Sequence, residues 1–302
     1  MMINVVVYLI RLEGIIPPIP TPFNVDGDLD ESLLKGLIDW YLSMGVHGVA
    51  VCGSTGEGYA LLLEEYSKVC EVAVKSAGGR VPVVAGVIVN SLKQALVYGR
   101  VAKEVGVDAL MATPPHYIFV PSEEGLYHYF KTLAEVLEMP LLVYNVVPHV
   151  PVPLKVFIRL VKDVKYLVGI KQSRGDISGL ADLVKAVGDK VSVMSAIDDL
   201  LYPSFVIGAR GALAAICTVA PDLCLKLYEC VKRGDSLNAL NIHNKLLAIW
   251  RVVGQYDMPA RIKAALKLRG IQSGYPRSPL LAVSKNVTEE IEQVLKETEI
   301  IE

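Results

Sequence analysis

Short apolar runs alternate with longer amphipathic stretches from residue 14 to about residue 230. Eight runs, at 14–19, 46–52, 81–86, 107–112, 140–144, 166–171, 190–195 and 211–214, are rich in Val, Ile, Leu and Ala at consecutive positions. A strand with one solvated face alternates apolar and polar residues. One covered on both faces is apolar throughout, so these runs predict buried parallel strands. Between them, 31–44, 64–77, 91–105, 123–137, 154–162 and 177–187 repeat their apolar positions at helical spacing. Eight strand–helix units in series predict an α/β fold, a (β/α)8 TIM barrel. A doubly wound sheet would need a Gly-rich turn after its first strand. Pro17-Pro18-Ile19-Pro20-Thr21-Pro22-Phe23 cannot supply the N–H groups of such a turn.

After Gly234 the alternation stops, and 237–254, 260–270 and 288–299 read as three helices separated by Gly, Pro and Ser. The expected organisation is an N-terminal extension at 1–13, the barrel at 14–233, and a three-helix C-terminal extension at 234–302 packed on the barrel. The first eleven residues are apolar but too few to span a bilayer, and they lack the basic start of a secretory leader.

Composition narrows the partners. The chain of 302 residues is 52% hydrophobic with a formal net charge of -2, so nothing points to nucleic acid or an anionic membrane surface. Mean hydropathy is +0.42, yet the apolar runs are short and broken by Gly and Pro, which argues against membrane helices. Five cysteines, Cys52, Cys70, Cys217, Cys224 and Cys230, form no C-x-x-C pair. Reduced core thiols in a cytoplasmic protein are therefore expected, without a disulfide framework or zinc site. Cys52 adjoins a Gly-rich turn but is assigned to packing.

Candidate chemistry sits at the carboxyl ends of the strands, where the loops of a barrel converge. The sixth run, Tyr166-Leu167-Val168-Gly169-Ile170-Lys171, closes on a single amine. Taken alone, such a lysine reaches along apolar surface to water. Desolvated, it becomes a free amine able to attack a ketone and form a Schiff base. The second run leads into Gly53-Ser54-Thr55-Gly56-Glu57-Gly58, a turn able to gather N–H groups and two hydroxyls around a carboxylate. The fourth leads into Thr113-Pro114-Pro115-His116-Tyr117. The fifth ends at Tyr144-Asn145, placing a phenol one unit before Lys171, where it could exchange protons. The seventh ends at Ser195-Ala196-Ile197-Asp198-Asp199, whose carboxylates can bind substrate hydroxyls or cap a helix.

Pro20-Thr21-Pro22-Phe23, Gly53-Ser54-Thr55-Gly56-Glu57, Tyr144-Asn145-Val146 and Gly169-Ile170-Lys171, in this order along nearly the whole chain, resemble the dihydrodipicolinate synthase / N-acetylneuraminate lyase superfamily. The resemblance implies a class I, Schiff-base lyase acting on pyruvate-derived substrates without metal or organic cofactor. By the same resemblance Lys171 forms the imine, Tyr144 donates and accepts the proton, and Ser54 and Thr55 hold the pyruvate carboxylate. Ser54 also passes protons towards Tyr144. Tyr117 matches an aromatic supplied by a neighbouring subunit, and Leu213 falls where a backbone group lines the pyruvate site. A homotetramer, built as a dimer of dimers, is implied as well.

Within the superfamily the residues point two ways. Synthases follow Tyr-Asn-Val-Pro with a small residue and an Arg that grips the carboxylate of aspartate semialdehyde, and here His149 stands at the Arg position. A bidentate guanidinium is not replaced conservatively. Ser173, two residues past Lys171, and Asp198 lean towards sugar-acid lyases, in which such groups hold polyol hydroxyls. The expected activity is reversible retro-aldol cleavage of a 2-oxo-3-deoxy sugar acid to pyruvate and an aldehyde. The alternatives are a dihydrodipicolinate synthase in which another base such as Arg174 replaces the Arg, and a non-catalytic barrel that binds a 2-oxo acid.

Overall fold

The computed structural model describes residues 10–302. Among these residues eight parallel strands form one sheet in the order β1-β8-β7-β6-β5-β4-β3-β2. They are β1 (Gly14–Ile15), β2 (Val49–Val51), β3 (Val83–Val87), β4 (Ala109–Ala112), β5 (Leu141–Asn145), β6 (Leu167–Gln172), β7 (Ser192–Ser195) and β8 (Gly211–Ala212). The ring closes between the two outer strands through a Pro18–Ala50 bridge, flanked by Ala50 N–H to Pro17 O at 3.1 Å and His47 N–H to Ile15 O at 2.9 Å. A (β/α)8 barrel results, as the series of units predicts.

Six of the eight strands are shorter than the runs that announced them, while β5 and β6 keep the expected length one residue further along. β1 stops at Ile15 because Pro17, Pro18 and Pro20 have no N–H to donate to a ladder. The intervening helices are α1 (Glu31–Ser43), α2 (Leu63–Ala77), α3 (Leu92–Val105), α4 (Glu123–Leu137), α5 (Leu154–Asp163), α6 (Ile177–Val187) and α7 (Leu201–Ile207). Side-chain caps fix several starts: Asp30 accepts from Leu33 N–H, Ser91 from Gln94 N–H, Ser122 from Gly125 N–H and Asp176 from Gly179 N–H.

Leu12, Ile16, Ala50, Val84, Met111, Leu142, Val168 and Met194 fill the barrel interior, with Tyr144 at its upper layer. A second core between sheet and helices holds residues such as Leu34, Leu37, Ile38 and Tyr41 of α1. Each fully buried aliphatic side chain of this kind contributes about 1.5–3 kcal/mol. Most of the expected extension 1–13 lies outside the described residues, but fully buried Leu12 packs inside the barrel.

After β8 come α8 (Ile216–Val219) and α9 (Pro221–Lys232), then α10 (Ser236–Val253), α11 (Met258–Leu268) and α12 (Lys285–Glu297). The last three are the helices expected at 237–254, 260–270 and 288–299. α10 packs on α9 and α12, and α11 packs on α8 and α12. Among the described residues no helix is long and apolar enough to cross a membrane.

Candidate active site

Tyr144 and Lys171 are brought together by sheet register. β5 and β6 slip by one residue between Leu141 and Leu142, after which Tyr144 pairs with Lys171 and Asn145 with Gln172. Gly169 sits beside the slip, where a Cβ would lie 2.1 Å from the Ser192 carbonyl oxygen, so no larger residue fits the approach to β7. Side chains of paired residues share a face. Hence Tyr144 and Lys171 point together into the barrel mouth, and Lys171 Nζ lies 3.8 Å from the centre of the Tyr144 ring. Both side chains are buried. On the opposite face Asn145 donates to Gln172 Oε1 at 2.8 Å and accepts from Val152 N–H at 2.9 Å, which anchors the loop after β5.

The turn after β2 brings Ser54 to the same place. Ser54 Oγ and Tyr144 Oη are 3.1 Å apart, a hydrogen bond across 90 residues of chain. Glu57 N–H bonds to Ser54 O and Gly58 N–H to Gly53 O, which curls the turn tightly. A Cβ at Gly58 would fall 1.9 Å from the Cys52 carbonyl oxygen, so only glycine fits there. The N–H groups of Ser54 and Thr55 have no intramolecular acceptor among the described residues. They are the donors the sequence suggested for a carboxylate.

Glu57 faces away from this cluster. Its carboxylate is fully buried and accepts from Lys263 Nζ at 2.6 Å and from Arg277 N–H at 2.8 Å. Thr21 Oγ1 donates to Gly56 O at 2.6 Å. The turn is therefore held from the end of β1 and from the C-terminal extension. The Arg277 guanidinium reinforces that side by stacking 4.1 Å from the Phe23 ring centre and pairing with Glu65.

Ser54, Thr55, Tyr144, Lys171, Ser173, Asp198 and Leu213 line one pocket of about 200 Å³. Asp198 has two engagements. One carboxylate oxygen accepts from Ile216 N–H at 2.7 Å, which caps the start of α8, while the group also faces the pocket. Burial pushes its carboxyl up to about 7, opposed by the Ile216 hydrogen bond and by the charge of Lys171. Asp199 pairs with Arg251 instead, at 3.6 Å.

Tyr117 does not join the pocket of its own chain. It is 62% exposed within an apolar run that includes Ile118, Phe119 and Val120. His149 is exposed, and its Nε2 lies 3.2 Å from the Tyr117 carbonyl oxygen. Arg174 is exposed and does not line the pocket. The position expected to carry a guanidinium thus brings no cation into the site.

Sequence reasoning missed Trp250 and Met258, which reach the pocket from α10 and the start of α11. Trp250 is one of only two tryptophans in the chain, and a lone indole within a mixed helix was the available signal. Among the described residues no group of three or more His, Cys, Asp or Glu is placed to hold a metal ion.

Comparison with known proteins places the chain in a family. The model of the dihydrodipicolinate synthetase family matches residues 11–298. A 4-hydroxy-tetrahydrodipicolinate synthase of Methanopyrus kandleri is 33% identical over 289 residues, covering 95% of this chain and 96% of the relative. An uncharacterized DapA-like lyase of Pyrobaculum islandicum is 35% identical over 302 residues, covering 96% of this chain and all of the relative. The crystal structure of chloride-inhibited dihydrodipicolinate synthase from Acinetobacter baumannii complexed with pyruvate superposes with a TM-score of 0.91. It is 29% identical and covers 96% of this chain and 100% of that one.

Proposed function

The chain belongs to the dihydrodipicolinate synthetase family, and from that premise we propose that it joins pyruvate to an aldehyde through an imine on Lys171. The observation that carries the reading is the pairing of Lys171 with Tyr144 in register, with Ser54 bonded to the phenol and all three lining one pocket. Lys171 Nζ attacks C2 of pyruvate, and the carbonyl oxygen leaves as water. The imine then accepts the electron pair released when Tyr144, having given its proton to the departing water, takes up a C3 proton, giving an enamine. C3 of the enamine attacks the aldehyde carbon, and the resulting alkoxide takes its proton from Tyr144, which Ser54 resupplies. Hydrolysis or displacement at C2 frees the lysine. Ser54 and Thr55 N–H groups and hydroxyls hold the pyruvate carboxylate, and Leu213 walls that end.

Aspartate semialdehyde is the acceptor in this proposal, giving 4-hydroxy-tetrahydrodipicolinate. The names of the relatives support it, and they weigh more than the sugar-acid cleavage expected from His149, Ser173 and Asp198. One observation favours that second reading: Lys171 is the only cation lining the pocket among the described residues, while Ser173 and Asp198 offer a hydroxyl and a carboxyl. A second copy of the chain completes the relay by lending Tyr117, in keeping with the exposed run 117–120, in a homotetramer. Steady-state turnover with pyruvate plus aspartate semialdehyde, against pyruvate plus glyceraldehyde, tests the assignment. Preference for the semialdehyde supports the synthase, preference for glyceraldehyde the sugar-acid aldolase. No turnover with any aldehyde, despite pyruvate binding, contradicts both.

A further inference from the structure

A cavity of about 440 Å³ lies within the C-terminal extension, between α11, the 274–283 segment and α12. It shares no lining residue with the pocket around Lys171. Its walls are mostly aliphatic, Ala264 and Val283 among them, with Tyr275 and Thr288 adding polar edges. Two lysines, Lys263 and Lys267, are among its lining residues, and no acidic residue is. Lys267 is exposed and takes part in no ion pair among the described residues. An apolar chamber with uncompensated positive charge at its wall suits an anion with an aliphatic body.

The wall of this cavity is bonded to the turn that carries Ser54 and Thr55. Lys263 Nζ donates to Glu57 Oε1 and to Tyr275 O, both at 2.6 Å. Its third donor has no oxygen acceptor among the described residues, and the Phe23 ring centre lies 4.9 Å from Nζ, so a ligand anion could reach the ammonium only by displacing one of these contacts. A carboxylate drawn to that donor competes with Glu57 for the same ammonium, and Glu57 lies two residues from Thr55. We propose that this cavity binds a small aliphatic monocarboxylate against Lys267 and Lys263, and that occupancy is coupled through the Lys263–Glu57 contact to the pyruvate site. The coupling rests on the reading of Ser54 and Thr55 given above; the site itself does not.

The test uses hexanoate as probe, with hexan-1-ol and hexylamine as neutral and cationic controls. Calorimetric titration is run on the full chain after Lys171 has been capped with pyruvate and borohydride, so that a carboxylate cannot score in the catalytic pocket. Capping is verified first by mass spectrometry. Its absence refutes the Schiff-base reading and not the cavity, which is then titrated on untreated protein. Hexanoate should bind at least about tenfold more tightly than either control, and Lys267→Met should weaken it by about tenfold while leaving basal turnover unchanged. Thr288→Trp, which fills the cavity from α12, should abolish binding. On uncapped protein the half-saturation for pyruvate trapping should shift about fivefold or more with hexanoate, and far less in Lys267→Met. No binding of hexanoate, or equal affinity for the alcohol, overturns the site. Binding without a shift in pyruvate half-saturation overturns the coupling.

Discussion

Replacing Lys263 by Met removes the ammonium that holds Glu57, while methionine fills much of the same apolar path. The two side chains are 3% and 1% exposed, and the contact spans 206 residues of chain. Burial tends to pull the lysine down, and the neighbouring Glu57 opposes this. With the lysine gone, Glu57 keeps only the Arg277 N–H, and an uncompensated buried carboxylate costs about 3–5 kcal/mol. That is a large fraction of the 5–15 kcal/mol typical of a folded domain. Adding Glu57→Gln should recover part of the loss, because the unpaired charge goes with it. Guanidinium unfolding of the two single variants and the double variant, at fixed protein concentration, measures the interaction as a cycle. A purely structural tie would end there. If the tether positions Ser54 and Thr55, the half-saturation for pyruvate must rise too, since a displacement near 1 Å at a reacting group can cost about 10²-fold. A loss below about 1 kcal/mol with unchanged half-saturation would refute the reasoning.

Three other outcomes are expected. Tyr144→Phe should lower turnover by about 10²–10⁴-fold while Lys171 is still trapped by pyruvate; full activity would remove Tyr144 from the mechanism. Asp198→Asn should change the pH dependence of stability. With a carboxyl raised from 3.8 to about 7, the folded state keeps a proton that the unfolded chain has released. Stability of the unaltered protein therefore falls as pH rises between those values and levels off above about 7. The variant should lack that slope and gain about 2–4 kcal/mol relative to the parent at pH 8; parallel curves from pH 5 to 8 would contradict it. Trp250→Ala should raise the KM for the aldehyde and spare pyruvate half-saturation, and the reverse split would place the indole at the wrong end of the pocket.

The barrel was legible because strands covered on both faces are apolar at every position, and the runs ending at Tyr144 and Lys171 are of that kind. Their extents were overread where proline interrupts the ladder, as at Pro17 and Pro18. The Tyr144–Lys171 pairing depends on the one-residue slip after Leu141, which leaves no mark in the pattern of β5. Glu57 stood inside a motif read as a carboxylate-binding turn, yet its side chain serves the opposite face and meets Lys263 from α11. Contacts of that range have no periodicity to betray them, and the same holds for Trp250 and Met258. Tyr117 was legible as a loop aromatic, and its exposed side chain lies outside the pocket of its own chain.

The measurement that bears most directly on the whole account is the site of covalent capture. Incubation with pyruvate, reduction with borohydride and peptide mapping should yield one modified residue, Lys171, carrying the mass of a reduced pyruvate imine, with labelling lost in Lys171→Ala. Label on a different lysine, or no label at saturating pyruvate, would contradict it.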